Sequence, residues 1–298
     1  MRRFQKALFG FSECRKEAKA LARILKVPYA EVDAHRFPDG ESLVRLPAAA
    51  ADAILYRPLD HPNPKLVEVV FALSALRANG AKRVTLVAPY LPYMRQDKVF
   101  RAGEALSQAV IGKLLAPWCD VIVAVEPHLH RTRTLASVFP GRRGIAVSGA
   151  KALARHFKAK GIAKDTFVLG PDQEAFRSAR PLAEALGLSF GTAVKKRRGD
   201  TNVTVRLPDA ARIKGRPVLI VDDVISTGVT VIEAAKALKR AGAKSVSAAA
   251  VHALYDRAAA RALRRAGVRS VVSCDVVPHP SNKVSLASEL AAAIGSLR

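Results

Sequence analysis

Short apolar runs alternate with longer amphipathic stretches along the whole chain. Ile54-Leu55-Tyr56, Val84-Thr85-Leu86-Val87, Val121-Ile122-Val123-Ala124-Val125, Phe167-Val168-Leu169 and Val218-Leu219-Ile220-Val221 are continuously apolar rather than alternating. Such runs predict strands covered on both faces. Between them the spacing predicts helices. Over 64–78, Leu66, Val69, Val70, Leu73 and Leu76 mark one face, with Asn63 as a candidate cap, Pro64 in the first turn and Gly80 as the stop. A second helix opens at about residue 229. Strand–helix alternation of this kind places the chain in the α/β class with mostly parallel sheets.

The 298 residues leave room for two domains of ordinary size. One internal echo bears on this. Leu76 to Val84 and Leu238 to Val246 share the pattern L-x-x-x-G-A-K-x-V, a helix end, a glycine stop and a strand start. Two readings are open: a junction common to α/β proteins, or a duplicated domain. Gly141-Arg142-Arg143-Gly144 is the best linker candidate. The expected division is therefore 1–143 and 144–298.

Composition narrows the function classes. Half the residues are hydrophobic, enough for a core, which excludes a disordered basic tail protein. Forty-nine basic against twenty-five acidic residues give +24, which suits nucleic acid, an acidic membrane surface or phosphorylated small molecules. The densest cluster, Lys195-Lys196-Arg197-Arg198, stands alone, and 6% aromatics disfavour a stacking platform for single strands. Specific nucleic-acid and membrane partners are not expected. No run reaches the ~18 apolar residues of a membrane span, and the basic start is too short in apolar residues for a signal peptide. Cys14, Cys119 and Cys274 lie far apart, so a reducing, cytoplasmic setting is expected.

The strongest chemical signal is Val218 through Thr230. A buried strand ends in Asp222-Asp223, then Ser226-Thr227-Gly228 leads into a helix that carries Thr230. Backbone N–H groups and hydroxyls at such a helix start form a nest for a phosphate monoester. The two carboxylates suit sugar hydroxyls or a hard cation such as Mg²⁺. A turn cap needs one acid, not two.

This stretch resembles the phosphoribosyl-diphosphate loop of type I phosphoribosyltransferases and ribose-phosphate pyrophosphokinases. Five further segments resemble the pyrophosphokinase family, in its order. Phe37-Pro38-Asp39-Gly40-Glu41 is similar to an element that reaches across a subunit interface to the adenine of ATP, although Asp39-Gly40 is also an ordinary hairpin turn. Tyr93-Met94-Arg95-Gln96-Asp97 is similar to an ATP-contacting element. Glu126-Pro127-His128 resembles the motif that supplies a metal-binding histidine. Pro171-Asp172 opens a segment similar to the family's pyrophosphate loop, and Lys195 to Arg198 resembles the start of a catalytic flexible loop. The alternative for each is a solvated loop, a surface histidine or a charge run.

The resemblance implies two phosphoribosyltransferase-like α/β domains and a homo-oligomer. The implied reaction is diphosphoryl transfer from MgATP to ribose 5-phosphate. Lys196 and Arg198 are then catalytic; Phe37, Asp39, Glu41, Arg95, Gln96 and Asp97 bind ATP. Asp222, Asp223, Ser226, Thr227, Gly228 and Thr230 bind ribose 5-phosphate, and His128 and Asp172 bind metal. Alternatives are a type I phosphoribosyltransferase acting on a nucleobase and a non-catalytic regulatory relative. Departures from the pattern are the glycine-free Asp172-Gln173-Glu174-Ala175, Ser226 in place of an acid, and the basic excess.

Overall fold

The computed structural model describes residues 1–198, 202–207 and 211–297, with 195–198 and 202–205 described by backbone alone. The chain forms two units, Met1–Ser148 with Leu286–Arg298, and Gly149–Ser285.

The first unit contains β1 (Arg2–Gly10), α1 (Arg15–Leu25), β2 (Tyr29–Glu31), β3 (Asp33–Arg36), β4 (Ser42–Arg45) and β5 (Ala48–Tyr56). It continues with α2 (Pro62–Ala78), β6 (Arg83–Val87), α3 (Ser107–Leu115), β7 (Val121–Val125), α4 (Leu135–Val138) and β8 (Arg143–Val147). Six parallel strands run in the order β2-β1-β5-β6-β7-β8, and β3 pairs with β4 as a separate antiparallel hairpin. Phe9, Ile54, Leu55, Leu86 and Val123 are fully buried, as strands covered on both faces require.

The second unit contains α5 (Ala150–Ala159), β9 (Phe167–Gly170), α6 (Phe176–Leu186), β10 (Phe190–Thr192), β11 (Val194–Arg198) and β12 (Asn202–Arg206). Then follow β13 (Pro217–Ile225), α7 (Val229–Arg240), β14 (Ser245–Ala253), α8 (Arg257–Arg265), β15 (Val268–Cys274) and β16 (Asn282–Val284). Its parallel sheet runs β10-β9-β13-β14-β15-β16, with β11 and β12 as an antiparallel hairpin. The C-terminal α9 (Ala287–Gly295) packs on α1, β7 and β8 of the first unit.

The two strand orders are the same. In each unit the first strand has the second on one side and, after a hairpin, the third on the other. The L-x-x-x-G-A-K-x-V echo falls at corresponding junctions, α2 to β6 and α7 to β14. The duplicated arrangement therefore extends over both units.

Several sequence expectations change in detail. Residue 143 is not in a linker: β8 pairs with β7 from Val121↔Arg143 to Val125↔Val147. Gly144 is there because α4 lies close, since a Cβ would sit 2.4 Å from the Ala136 nitrogen. Asn63 does not cap α2. His61 holds the cap position at φ 48° without a side-chain bond, and Asn63 Oδ1 accepts instead from the Tyr93 hydroxyl.

Candidate active site

In the second unit the chain leaves β9 toward β10 on one side and reaches β13 on the other. That reversal is the topological switch point, where open parallel sheets bind ligands beyond the carboxyl ends of their strands. The segments after β9 and β13 meet there. Asp222 and Asp223 close the C-terminal part of β13, half-buried. Their side chains turn back on the chain: Asp223 N donates to Asp222 Oδ1 at 3.0 Å and Val224 N to Asp223 Oδ1 at 2.7 Å.

Gly228 then takes φ 77°, the left-handed region that a side chain disfavours. It starts α7 without a side-chain cap, so the first N–H groups of that helix point into the loop. Ser226 and Thr230 are half-buried and Thr227 is exposed. This arrangement can hold a phosphate at the helix start and hydroxyl groups against the carboxylates.

Burial, and then the negative charges of Asp223 and Asp172, push the Asp222 carboxyl well above the usual range. A divalent cation or hydrogen-bond donors would relieve that repulsion, and carboxylate oxygens suit a hard ion. Asp172 Oδ1 accepts from Ala175 N at 3.1 Å, so in the glycine-free loop one backbone donor is already used by the loop's own acid. Gly170, two residues before Asp172, is fixed by packing, as a Cβ would meet Thr192 Cγ2 at 2.9 Å.

Lys196 and Arg198 lie on β11 rather than in a loop. They pair with Thr204 and Asn202 in the antiparallel register. Their side chains, and the following Gly199-Asp200, lie outside the described residues.

In the first unit the remaining candidates sit beyond the carboxyl ends of β2, β6 and β7. The β3–β4 hairpin carries Phe37, Asp39 and Glu41 at an exposed tip. Its turn is closed by Phe37 N to Glu41 O at 2.8 Å and Gly40 N to Phe37 O at 3.0 Å, with Gly40 at φ 94°. Asp39 Oδ1 accepts from Glu41 N at 3.1 Å, and His35 meets the Phe37 ring edge-on at 4.7 Å. The hairpin-turn reading of Asp39-Gly40 is thus correct as geometry, and it displays the other candidates.

After β6, Tyr93 adopts φ 63° and Met94 is buried. Gln108 of α3 donates to the Met94 carbonyl at 3.3 Å, while Gln96 Oε1 accepts from the Ser107 hydroxyl. Arg95 is left exposed. The Asp97 carboxylate is turned inward, with its side chain 0% exposed, onto Arg131 Nη1 at 2.9 Å. It faces Arg131 rather than solvent.

After β7, Glu126 and His128 take φ 38° and 53° on either side of Pro127. Side chains rarely adopt such angles, and outliers of this kind cluster at functional sites. His128 N donates to Glu126 O at 2.8 Å, and the His128 and His130 rings lie 4.0 Å apart. Sequence reasoning overlooked Arg131, whose only signal is the density of cations in Arg131-Thr132-Arg133 after the histidines. It also overlooked Arg57 and Glu68, a buried ion pair at 2.6 Å. Arg57 and Glu68 stand eleven residues apart and leave no local pattern in the sequence.

Comparison with known proteins agrees with this geometry. Residues 6–117 match the family model described as the N-terminal domain of ribose phosphate pyrophosphokinase. Residues 143–289 match the phosphoribosyl transferase domain. A ribose-phosphate pyrophosphokinase from Methanopyrus kandleri is 35% identical over 288 residues, 96% of this chain and 97% of that protein. One from Saccharolobus solfataricus is 38% identical, covering 79% and 81%. The crystal structure of phosphoribosylpyrophosphate synthetase from Mycobacterium smegmatis superposes with a TM-score of 0.84 at 27% identity, covering 98% of both chains. With both domains matched by family models and relatives that span nearly the whole chain, this chain belongs to the ribose-phosphate pyrophosphokinase family.

Proposed function

We propose that the protein transfers the β,γ-diphosphoryl group of ATP to the 1-hydroxyl of ribose 5-phosphate, giving 5-phosphoribosyl 1-diphosphate and AMP. The observation that carries this reading is the acid–acid–hydroxyl–glycine loop, Asp222 to Thr230, opening α7 in a chain matched end to end by pyrophosphokinases. The match of residues 6–117 to a pyrophosphokinase N-terminal domain disfavours a nucleobase phosphoribosyltransferase, which needs no ATP-side unit.

Asp222 and Asp223 accept hydrogen bonds from the ribose hydroxyls, and the Ser226–Thr230 segment holds the 5-phosphate. Arg95 and Gln96 hold ATP, with Asp97 acting through Arg131. Phe37, Asp39 and Glu41 complete the nucleotide site from a neighbouring copy, so the working form is a homo-oligomer. Exposed Val67 and Phe71 on α2 support such a contact.

The sugar O1 bonds to the β-phosphorus and the bond from that phosphorus to the bridging oxygen breaks. The oxygen leaves with AMP and the hydroxyl proton passes to solvent. Negative charge grows on the oxygens involved, and Lys196 and Arg198 stabilise it. Mg²⁺, when bound, neutralises triphosphate charge. In the second unit Asp172, Asp222 and Asp223 would hold it, and His128 is a candidate ligand in the first. A cytoplasmic setting belongs to the same reading, supported by three buried free cysteines.

The test is incubation with ribose 5-phosphate and MgATP, and separately of 5-phosphoribosyl 1-diphosphate with each nucleobase. AMP released only in the presence of ribose 5-phosphate supports the reading. Pyrophosphate released only with a nucleobase would replace it with the transferase alternative.

A further inference from the structure

The β3–β4 hairpin has an exposed tip, but its base is tied to buried charge. Arg36 and Ser42 face each other on the last rung before the turn. Both donate to one carboxylate oxygen of α2: Arg36 Nη2 to Glu68 Oε1 at 2.8 Å, and Ser42 Oγ to the same atom at 3.1 Å. The second oxygen, Oε2, lies 2.6 Å from Arg57 Nη2. Glu68 is 3% exposed and Arg57 4%. Arg57 also donates Nε to Glu13 Oε1 at 2.8 Å, and its guanidinium lies 3.7 Å from the Phe11 ring centroid.

The duplication shows what this pair replaces. Aligning the units on the L-x-x-x-G-A-K-x-V echo sets Val87 on Ala249, whose strand partners are Tyr56 and Val221. The next residues, Arg57 and Asp222, therefore correspond. The same alignment sets Glu68 on Thr230. Where the second unit has Asp222 and Thr230 at its sugar-phosphate loop, the first has a cation and an anion that satisfy each other. Its switch point is closed, and the remaining hydrogen-bonding capacity of Glu68 goes to the hairpin.

Two buried charges are a poor way to cover a helix, because desolvation offsets most of their attraction. They do supply direction: a carboxylate held by three donors fixes its partners at one angle. Only one rung of the hairpin is held this way. The far rung, Asp33 and Arg45, is an exposed pair at 3.0 Å of the kind that contributes little.

We propose that Glu68, oriented by Arg57, is a positioning residue for the nucleotide: it fixes the angle at which the β3–β4 hairpin presents Phe37, Asp39 and Glu41, and so sets ATP affinity without affecting ribose 5-phosphate binding. This rests on the reading of those three residues as nucleotide contacts. The experiment measures backbone deuterium uptake over residues 33–45 together with steady-state constants for both substrates. The variants are Glu68→Gln, and, on the hairpin side where the core is untouched, Arg36→Gln and Ser42→Ala. Arg36→Lys tests rescue and Arg45→Ala is the control.

Glu68→Gln and Arg36→Gln raise uptake confined to the hairpin. They raise the KM for ATP about tenfold, the loss of one charged hydrogen bond, while the KM for ribose 5-phosphate stays within about twofold, well inside that factor. Ser42→Ala has a smaller effect of the same kind, Arg36→Lys largely restores both readouts, and Arg45→Ala changes neither. Hairpin uptake equal to the parent in Glu68→Gln and Arg36→Gln would overturn the brace. Raised uptake with an unchanged ATP KM would overturn the nucleotide role of the hairpin while leaving the brace. A parent that makes no 5-phosphoribosyl 1-diphosphate would instead overturn the functional reading, and the uptake result still decides the brace.

Discussion

At Asp222, burial and the charges of Asp223 and Asp172 all oppose ionisation, so the residue is suited to a ligand rather than to the stability of the empty protein. Asp222→Asn is expected to raise Tm of the free protein by about 2 °C or more, as relief of such strain typically does. The same variant is expected to lower kcat/KM for ribose 5-phosphate by about a hundredfold, the usual loss for one aligned polar group in a site. Thermal melting with and without ribose 5-phosphate checks this, and a fall in Tm alongside the activity would contradict it. Glu68 is the opposite case. Burial pushes its carboxyl up, but hydrogen bonds from Arg36 and Arg57, the charge of Arg57 and the bond from Ser42 outweigh it and hold it below the usual range. Glu13 faces the same cluster through Arg57. The stabilisation is therefore present above the unfolded carboxylate value and lost as pH falls through the lower folded one. Glu68→Gln should lose stability less steeply in acid than the parent, readable as a shallower slope of unfolding free energy against pH. Glu68→Ala strands Arg57 and is expected to cost about 3–5 kcal/mol, whereas Arg45→Ala should stay within about 0.5 kcal/mol.

Among the elements, some were legible in the sequence and others were not. The apolar central strands were legible because strands covered on both faces need continuous apolar runs. So were the α2 face and the start of α7. β1, which pairs with both β2 and β5, was not. Arg2, Arg3 and Lys6 interrupt its first half, where their charged ends reach solvent, and only Ala7 to Gly10 is fully buried. The glycines at 141 and 144 read as a linker, but they serve a turn and a close helix approach, which composition cannot distinguish. At the site, residue types and order were legible, and the inward turn of Asp97 onto Arg131 was not, since partners distant in sequence leave no local pattern. The second hairpin also sharpens a prediction. An extended segment sets alternate residues on opposite sides, so different outcomes are expected for Lys196 and Arg198 than for Lys195 and Arg197. Lys196→Ala and Arg198→Ala should each lower kcat by about a hundredfold with little change in ribose 5-phosphate affinity. Lys195→Ala and Arg197→Ala serve as controls. Equal, small effects at all four would mark the segment as an exposed charge run.

At the scale of the whole molecule, duplication has produced two units of one topology with different occupants at their switch points. The second keeps an acid pair and an open helix start. The first fills the corresponding place with Arg57 and Glu68, and on the proposed reading its nucleotide contacts lie in the loops after β6 and β7 and on the hairpin. If that hairpin serves a neighbouring copy, Phe37→Ala and Asp222→Asn chains, each weak alone, should recover activity when refolded together. No recovery would place the hairpin in its own chain's site. The charge of +24 should give weak polyanion binding that falls steeply with salt, and sequence-dependent binding that survives physiological salt would require a further function. The proposed reaction moves the whole β,γ-diphosphoryl group in one step. The direct measurement is the fate of a label in the β-phosphorus of ATP after a single turnover with ribose 5-phosphate. Transfer of the whole group puts the label in the sugar product and leaves AMP unlabelled; label retained in ADP would show that only the γ-phosphate moves.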